Sequence, residues 1–504
     1  MKIQRRKSFY ELCFVLVSVV GILLPARLSL AQEIAPSTSN VNRKFQAKQL
    51  QEDFLIFRKV LEETHPGLYR YTDKKTLDAY FDNAFKQLNR EMTEREFFPI
   101  VASIVSAIKC GHTRSNPSSE LMSYLKTFPL NLRFIKGKGY ILSSPNNAIA
   151  PGSELLSING KKMPGITRAI LAHLPSDGDN KTRKYWFLSR RFRLYYNLFI
   201  EQPDSFDVEY FDATKRQKKK ISLPPLIENE AQATALPDDG KKPLRSEFLP
   251  ESNTALLTIK TFGEDSIKKA GQDYPKFLEA AFKEIKEKNI QNLIIDLRSN
   301  SGGKDEFGSR LFSYLTDKEF RYFDYIETST NKITLVQYTD AGNSTRINKM
   351  FAEDLLPGVA GRFRLKQSVD DNLQQLQQPQ KNHFDGKVWF LTTGRSFSTT
   401  ADFCAIAHYH RRGSFVGEEV GGGYYGNNSG RSFRLTLPNI KVRVDIPLWK
   451  YVNAVSGYPY LRRGVMPDYT AQPTIQDVLQ GVDTEMMFTL QLIKNVISKP
   501  RLHN

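Results

Sequence analysis

The segment GRSFSTTADF, residues 394–403, follows the apolar run VWFLTTG at 388–394. The run has the composition of a buried strand, and the hydroxyl side chains after it favour the start of a helix. A sharp turn between a strand and a helix exposes a side chain, and the helix brings unpaired backbone N–H groups to the same place. Ser398 is therefore interpreted either as a helix N-cap, the commoner role of serine there, or as a nucleophile.

The residues before this segment predict an α/β arrangement. ALLTIKTF at 255–262 is typical of a strand, residues 268–289 of an amphipathic helix, and NLIIDLRSNSGG at 292–303 of a strand that ends in a glycine-rich turn. A strand, a helix and a strand in succession favour a parallel pair of strands. Residues 305–315 predict the next helix.

The amino terminus has the parts of an export signal. MKIQRRK is basic, residues 12–25 are apolar, and Ser29, Leu30 and Ala31 have the small-x-small pattern of a cleavage site. The apolar run is shorter than the about 20 residues of a membrane span. We therefore expect a signal peptide over 1–31 and an exported protein, periplasmic or extracellular, with no transmembrane segment after processing.

The formal charge indicates the class of partner. Removing residues 1–31 takes away five cations and one acid, so the net charge falls from +18 to +14. A basic exported chain favours anionic surfaces or acidic peptides as partners, whereas nucleic acid is a poor partner outside the cytoplasm. The sequence does not indicate an oligomeric state.

The 504 residues, 40% hydrophobic and 25% charged, predict a multidomain α+β protein. Helical periodicity favours a helical amino-terminal domain over 40–120, and short alternating runs favour a β domain over 121–225. Residues 226–250, rich in Pro, Asp, Gly and Lys, are interpreted as a linker before an α/β domain over 251–480. Within the β domain, GSELLSINGKKM at 152–163 resembles the second half of PDZ domains.

Four motifs occur in an order that is known from one enzyme family. NLIIDLRSNSGG, GRSFSTTADF, FVGEEVGGG at 415–423 and GVMPDY at 464–469 together resemble the tail-specific, or C-terminal processing, serine proteases. CGHT at 110–113 and the PDZ-like pattern extend the resemblance over residues 45–475. The resemblance implies a crotonase-like (ClpP/crotonase) catalytic domain and a serine-type peptidase that acts on polypeptides, near their C-termini in the family's typical reaction.

The resemblance also implies roles for particular residues. Ser398 corresponds to the nucleophile, and the N–H groups of Thr399 and of Gly302 or Gly303 correspond to the oxyanion hole. Such donors stabilise the charge that builds on oxygen in a tetrahedral intermediate, and removing one raises the barrier by about 3 kcal/mol.

The family's two branches differ in the base that activates the serine. One branch uses a lysine, but the corresponding place here is GGG at 421–423. The tricorn-type branch uses a histidine, which corresponds to His112 in the segment CGHT. An imidazole titrates near neutral pH, so it can accept the Ser398 proton and return it to the leaving amine. Gly111 is expected to take the left-handed conformation that closes the preceding helix.

The third member of the catalytic group stays open. The positions of the family's orienting serine and glutamate correspond here to Gly111 and about Leu461, neither of which can accept a hydrogen bond through its side chain. The remaining candidates to orient His112 are Glu418, Glu419, Asp445 and Ser456.

Other patterns are given structural interpretations. GGGYYG at 421–426 is followed by a β-like segment, so it does not predict a dinucleotide site, and no cofactor is expected. His408 and His410 lack a cysteine or carboxylate cluster, so no metal is expected. The aromatic and basic segment 183–199 is interpreted as a core helix with exposed arginines. Cys110 and Cys404 can form a disulfide, but their number does not require one.

Two functions of other classes remain as alternatives. The first is a non-catalytic peptide-binding or ligand-binding protein that keeps the protease fold, which the missing orienting carboxylate favours. The second is a crotonase-type acyl-CoA enzyme, which predicted export away from cytoplasmic CoA disfavours.

Overall fold

The computed structural model describes residues 42–123, 125–228, 240–369 and 372–497, so the predicted signal peptide lies outside the described residues. Within these ranges, none of the helices combines the length and apolar character needed to cross a bilayer. The chain is mixed α/β.

The helices are labelled in chain order. They are α1 (Ala47–Thr64), α2 (Lys74–Gln87), α3 (Glu94–Ile108), α4 (Ser119–Met122), α5 (Met163–Leu171), α6 (Thr182–Phe199), α7 (Glu264–Lys269), α8 (Tyr274–Glu287), α9 (Asp305–Ser313), α10 (Thr345–Lys349), α11 (Thr399–Tyr409), α12 (Ile475–Gln480) and α13 (Thr484–Ile497).

The strands are labelled in the same way. They are β1 (Lys44–Phe45), β2 (Met92–Thr93), β3 (Arg114–Asn116), β4 (Leu125–Thr127), β5 (Asn131–Ile135), β6 (Lys138–Ser143), β7 (Glu154–Ile158), β8 (Lys161–Lys162), β9 (Phe206–Phe211), β10 (Lys218–Leu223), β11 (Leu226–Glu228), β12 (Leu244–Leu249), β13 (Thr254–Ile259), β14 (Asn292–Asp296), β15 (Phe320–Arg321), β16 (Phe323–Thr328), β17 (Leu355–Pro357), β18 (Phe363–Leu365), β19 (Leu376–Gln377), β20 (Lys387–Thr392), β21 (Ser414–Gly417), β22 (Asn428–Thr436), β23 (Arg443–Asn453) and β24 (Tyr469–Thr470).

The sheet that positions the site has the order β12-β13-β14-β20-β21-β24. Strands β13, β14, β20, β21 and β24 pair in parallel, and β12 is antiparallel at the edge. Strands β14 and β20 are apolar on both faces, as expected of parallel strands covered on each side. Because β14 and β20 are neighbours with the same direction, their exit turns, 297–303 and 393–398, meet at one edge.

A second sheet, of order β17-β18-β16-β23-β22, connects the amino-terminal helices to this region. Strand β3, which follows α3, pairs with β23 in the register Arg114↔Asp445. This pairing carries the turn at 109–113 across to the carboxyl-terminal half of the chain. The fold thereby brings His112 near residues almost three hundred positions away.

Residues 131–223 include a β sheet of order β10-β9-β7-β6-β5, which packs against α5 and α6 around its own buried cluster. The tight turn after β7 contains Asn159 and Gly160, both with positive φ, as the Asn-Gly pair predicts. The segment interpreted as a linker, 226–250, has paired strands at both of its described ends, since β11 pairs with β4 and β12 with β13.

The two described cysteines, Cys110 and Cys404, are buried and free, so they do not form a disulfide. Burial raises the pKa of both thiols.

Candidate active site

The turn between β20 and α11 places Ser398 in a strained backbone conformation. Its φ is 59° and its ψ is −134°, a combination that residues with a Cβ rarely adopt. Ser396 stabilises the turn, because its Oγ donates to the Leu297 carbonyl at 2.9 Å and accepts from Thr393 N–H at 3.1 Å. The strained backbone is therefore at Ser398, whereas the hydrogen bonds that stabilise the turn come from Ser396.

Ser398 occupies the N-cap position of α11, yet its side chain makes no capping hydrogen bond. Its Oγ lies 3.1 Å from Nε2 of His112, which is 286 positions earlier in the chain. Of the two interpretations of this serine, the geometry favours the one that leaves its hydroxyl available for proton transfer.

His112 follows α3 in a turn that differs from the expected one. The residue in the left-handed conformation is Lys109, with φ 60°, and not Gly111. Glycine is needed at 111 for another reason, since a Cβ there would lie 2.8 Å from the Phe397 ring. That ring stacks on the His112 imidazole with centroids 4.4 Å apart.

Burial and the nearby Arg114 and Arg183 guanidinium groups lower the pKa of His112 well below its ordinary value. The imidazole is therefore neutral near pH 7 and able to accept a proton. Its Nδ1 is buried and has no hydrogen-bond partner among the described residues. In a complete serine triad, a carboxylate accepts a hydrogen bond from this nitrogen.

The glycine-rich turn after β14 approaches the nucleophile closely. A Cβ on Gly302, whose φ is +96°, would lie 2.7 Å from the Ser398 Cβ and 3.1 Å from Thr399 N. Gly302 N–H donates to Asn300 Oδ1 at 2.9 Å, so this donor is already engaged. Gly303 N–H and Thr399 N–H have no acceptor within the described ranges. Of the predicted oxyanion donors, these two remain available.

The Thr399 side chain holds the two turns together. Its Oγ1 donates to the Gly303 carbonyl at 3.0 Å and lies 2.5 Å from Asp305 Oδ1. The start of α11 is thereby fixed against the glycine-rich turn, which is the arrangement that preorganised donors require.

The structure does not bring the predicted orienting residues to His112. Glu418 accepts hydrogen bonds from Gly394 N–H at 3.3 Å and from the Gln472 amide at 3.0 Å. Ser456 is exposed and lines a different cavity, beside His408 and Tyr409.

The other two orienting candidates are also engaged elsewhere. Glu419 forms a bidentate pair with Arg463, and Asp445 pairs with Arg434. Glu419 thereby connects the segment after β21 to Arg463 and Gly464, and Asp445 connects β23 to β22 and, through Asn116, to β3.

Asp177 is a residue of this region that the sequence did not indicate. It is buried, and its carboxylate accepts Gly111 N–H at 2.8 Å and Gly423 N–H at 3.3 Å. It therefore ties the turn that carries His112 to the segment after β21. Burial raises the pKa of Asp177, while these two hydrogen bonds act in the opposite direction. Its segment, PSDGDN at 175–180, has only the signals of a loop.

Arg183 also departs from the sequence interpretation of segment 183–199. Most apolar side chains of α6 are buried in the core as predicted, but Arg183, predicted to be exposed, is only 3% exposed. Its guanidinium carbon lies 3.9 Å from the centroid of the Phe397 ring.

His112 and Ser398 open onto a cleft of about 440 Å³. Side chains from α6, from the β20–α11 turn, and from β3 and β22 surround it. Its lining residues are His112, Arg114, Arg183, Trp186, Phe187, Arg191, Ser301, Gly303, Asp305, Arg395, Phe397, Ser398, Ser429 and Gly430. No group of His, Cys, Asp or Glu in the described part of the chain has the arrangement of a metal site. His408 instead lies 3.1 Å from the Tyr424 hydroxyl through Nδ1.

Ser398 lies in a turn between a strand and a helix, beside the neutral His112 imidazole and the available backbone N–H groups of Gly303 and Thr399. This arrangement, on a mixed α/β fold, is of the serine hydrolase type. Residues 253–471 match the family model of peptidase family S41. The matched region contains all four of the motifs by which the chain resembles the tail-specific proteases, so the family match agrees with that resemblance.

Solved structures with the same fold extend beyond the matched region. Mature CPAF superposes with a TM-score of 0.60 at 12% identity, covering 89% of this chain and 98% of CPAF. Mature CPAF complexed with lactacystin gives a TM-score of 0.62 at 13% identity, covering 90% of this chain and 98% of the CPAF chain. At this identity the likeness concerns the fold alone. No curated protein sequence matches the chain.

Proposed function

We propose that this chain is a serine peptidase that hydrolyses peptide bonds in protein or peptide substrates, with Ser398 as nucleophile and His112 as base. The observation that carries the proposal is the 3.1 Å separation of Ser398 Oγ and His112 Nε2 at the amino end of α11. The peptidase family match over 253–471 supports the same reaction class.

The geometry supports the following sequence of steps. His112 Nε2 takes the Ser398 proton as Oγ bonds to the substrate carbonyl carbon, and the resulting oxyanion accepts hydrogen bonds from Thr399 N–H and Gly303 N–H. The C–N bond then breaks as His112 returns the proton to the leaving amine. Water repeats the sequence on the acyl-enzyme, which releases the new carboxylate and restores Ser398.

The proposal also includes export of the protein and a preference for cleavage near substrate C-termini. The amino-terminal pattern of residues 1–31 supports an exported enzyme, and the strand pair around Asn159 and Gly160 supports a PDZ-like module. We propose cleavage near substrate C-termini on these grounds.

A non-catalytic binding protein is the second candidate. The observation that favours it is the buried His112 Nδ1, which lacks the orienting carboxylate of a complete triad. On this alternative the cleft would bind a peptide without cleaving it.

A fluorophosphonate probe, which labels activated serines, distinguishes the two candidates. We expect labelling of the full chain and its loss in Ser398→Ala and His112→Ala, with circular dichroism unchanged. Ser456→Ala is the matched control, because this serine is exposed and lies in another cavity. Labelling that persists in Ser398→Ala, or no labelling between pH 5 and pH 9 on the protein as purified, would remove the peptidase proposal.

End preference needs a second measurement. Fluorogenic peptides of one sequence, with free or amidated C-termini, are compared by kcat/KM on the full chain. Equal values for the two forms would contradict cleavage near C-termini while leaving the serine mechanism intact.

A further inference from the structure

Four arginines line the cleft beside Ser398. They are Arg114, Arg183, Arg191 and Arg395. The acidic residue among the lining side chains is Asp305, whose Oδ1 contacts the Thr399 hydroxyl. The side chains around the candidate nucleophile therefore carry a marked excess of positive charge.

None of the four arginines forms an ion pair with a carboxylate in the described ranges, whereas the nearby Arg298 does. Arg298, close to the same sheet edge, pairs with Asp296, Asp483 and Glu485. The arginines of the cleft thus differ from their neighbour in lacking an acidic partner.

Arg183 is the most enclosed of the four. Its side chain is buried, and its Nε and Nη1 atoms have no hydrogen-bond partner in the described structure. Three aromatic rings surround the guanidinium. The distance from its carbon to the ring centroid is 3.9 Å for Phe397, 4.6 Å for Phe187 and 5.1 Å for Trp186. Ring faces compensate part of the cost of burying a cation, but they accept none of its N–H donors.

Burial, with Arg114 nearby, lowers the pKa of Arg183 to about 9, so the group still carries its charge at neutral pH. A buried cation with free donors is costly unless a hydrogen-bonded anion joins it. An Arg–carboxylate pair can satisfy two donors at once through its planar fork.

We propose that the cleft selects polypeptides that present a carboxylate close to the scissile bond, and that Arg183 is its anchor, with Arg395 and Arg191 beside it. The proposal rests on the proposed function for the scissile bond, but the carboxylate site can be tested without cleavage. An Asp or Glu side chain and a C-terminal carboxylate offer the same chemistry.

Binding of four peptides to the full-length Ser398→Ala protein tests the proposal. The peptides share one sequence and carry either Glu or Gln at one position, each with a free or an amidated C-terminus. We expect a carboxylate to lower Kd about tenfold or more at low salt, because hydrogen bonds to charged groups are the strong class. A Glu/Gln difference identifies a side chain, and a free/amide difference identifies the C-terminus.

Two arginine variants locate the site. In the Ser398→Ala background, Arg183→Gln is expected to remove most of the carboxylate preference. Arg395→Gln, at a partly exposed position, is expected to reduce it and serves if the buried variant does not fold. Arg168→Gln is the matched control, since it removes the same charge from an exposed position on α5.

Equal Kd values for the four peptides would overturn the carboxylate proposal, and so would a preference that survives in both cleft variants. Failure of the peptidase proposal would appear elsewhere, as absence of fluorophosphonate labelling in the unmodified chain. The two proposals can therefore fail separately.

Discussion

Replacing His65 with asparagine should remove part of the acid sensitivity of the folded protein. The imidazole is 2% exposed; its Nδ1 accepts Gly67 N–H at 3.2 Å, and its Nε2 lies 2.7 Å from the Thr113 hydroxyl. Because Nδ1 accepts a hydrogen bond, the ring proton is on Nε2 and is donated to Thr113. Protonation of Nδ1 would break the bond to Gly67 inside the core.

The size of the effect follows from the change in pKa. Burial lowers the pKa of His65 to about 3, against about 6.5 in an unfolded chain. The folded form therefore binds the proton less readily, so its stability is complete above about pH 6.5 and decreases as the pH falls toward 3. At about 1.4 kcal/mol per pH unit, the full loss is about 5 kcal/mol, of which about 2 kcal/mol is lost by pH 5.

Urea unfolding at pH 7 and pH 5 measures this loss. Asparagine at 65 keeps an acceptor for Gly67 N–H but does not titrate, so the loss between the two pH values should be about 2 kcal/mol smaller in His65→Asn than in the parent. Carboxylates titrate in both proteins, and their contribution cancels in the difference. His383→Asn, at a half-buried histidine elsewhere, controls for the loss of an imidazole. Equal losses in parent and His65→Asn would refute the reasoning.

Three further predictions concern the cleft. Gly303→Ala should abolish fluorophosphonate labelling and lower the melting temperature, because the added Cβ would lie 2.1 Å from the Phe262 carbonyl carbon and the φ of residue 303 is +151°. The control is Gly271→Ala, which should keep labelling because the space around Gly271 is open. Labelling of both variants would contradict the prediction. Arg114→Gln should raise the pKa of His112 and move the acid limb of kcat/KM to higher pH, since a neighbouring cation disfavours the protonated ring; an unchanged limb would exclude this influence. Phe397→Leu should lower kcat about tenfold or more with little change in KM, because the stacked ring fixes His112; a change in KM alone would assign Phe397 to binding.

The turns that build the site could be predicted because their signals are local. An apolar run followed by hydroxyl residues indicated the strand and helix around Ser398, and NLIIDLRSNSGG indicated the neighbouring strand and its glycine turn. The pairing of His112 with Ser398 came from the family resemblance, because no local pattern connects residues 286 positions apart. The fold makes that connection through β3 and β23.

The residues that the sequence did not indicate act through tertiary contacts. Arg183 stands in a helix rich in arginine, where a cation normally faces solvent, and its burial depends on aromatic rings from two segments. Asp177 acts by accepting backbone N–H groups, which have no sequence signature. Glu418 was a reasonable orienting candidate from its motif, but backbone and amide donors beside its own strand already engage it.

In the proposed mechanism, packing orients the His112 imidazole in the place of a carboxylate. Asp177 fixes Gly111, Phe397 stacks on the His112 ring, and Ser398 meets its Nε2, so the ring is positioned while Nδ1 stays without a partner. Although His112 is well positioned, it is a weak base, because the positive charges of Arg114 and Arg183 disfavour its protonated form. A substrate carboxylate beside Arg183 would offset that charge and strengthen His112 as it takes the Ser398 proton. An acidic substrate would thus supply the negative charge that a complete triad carries in its own third residue.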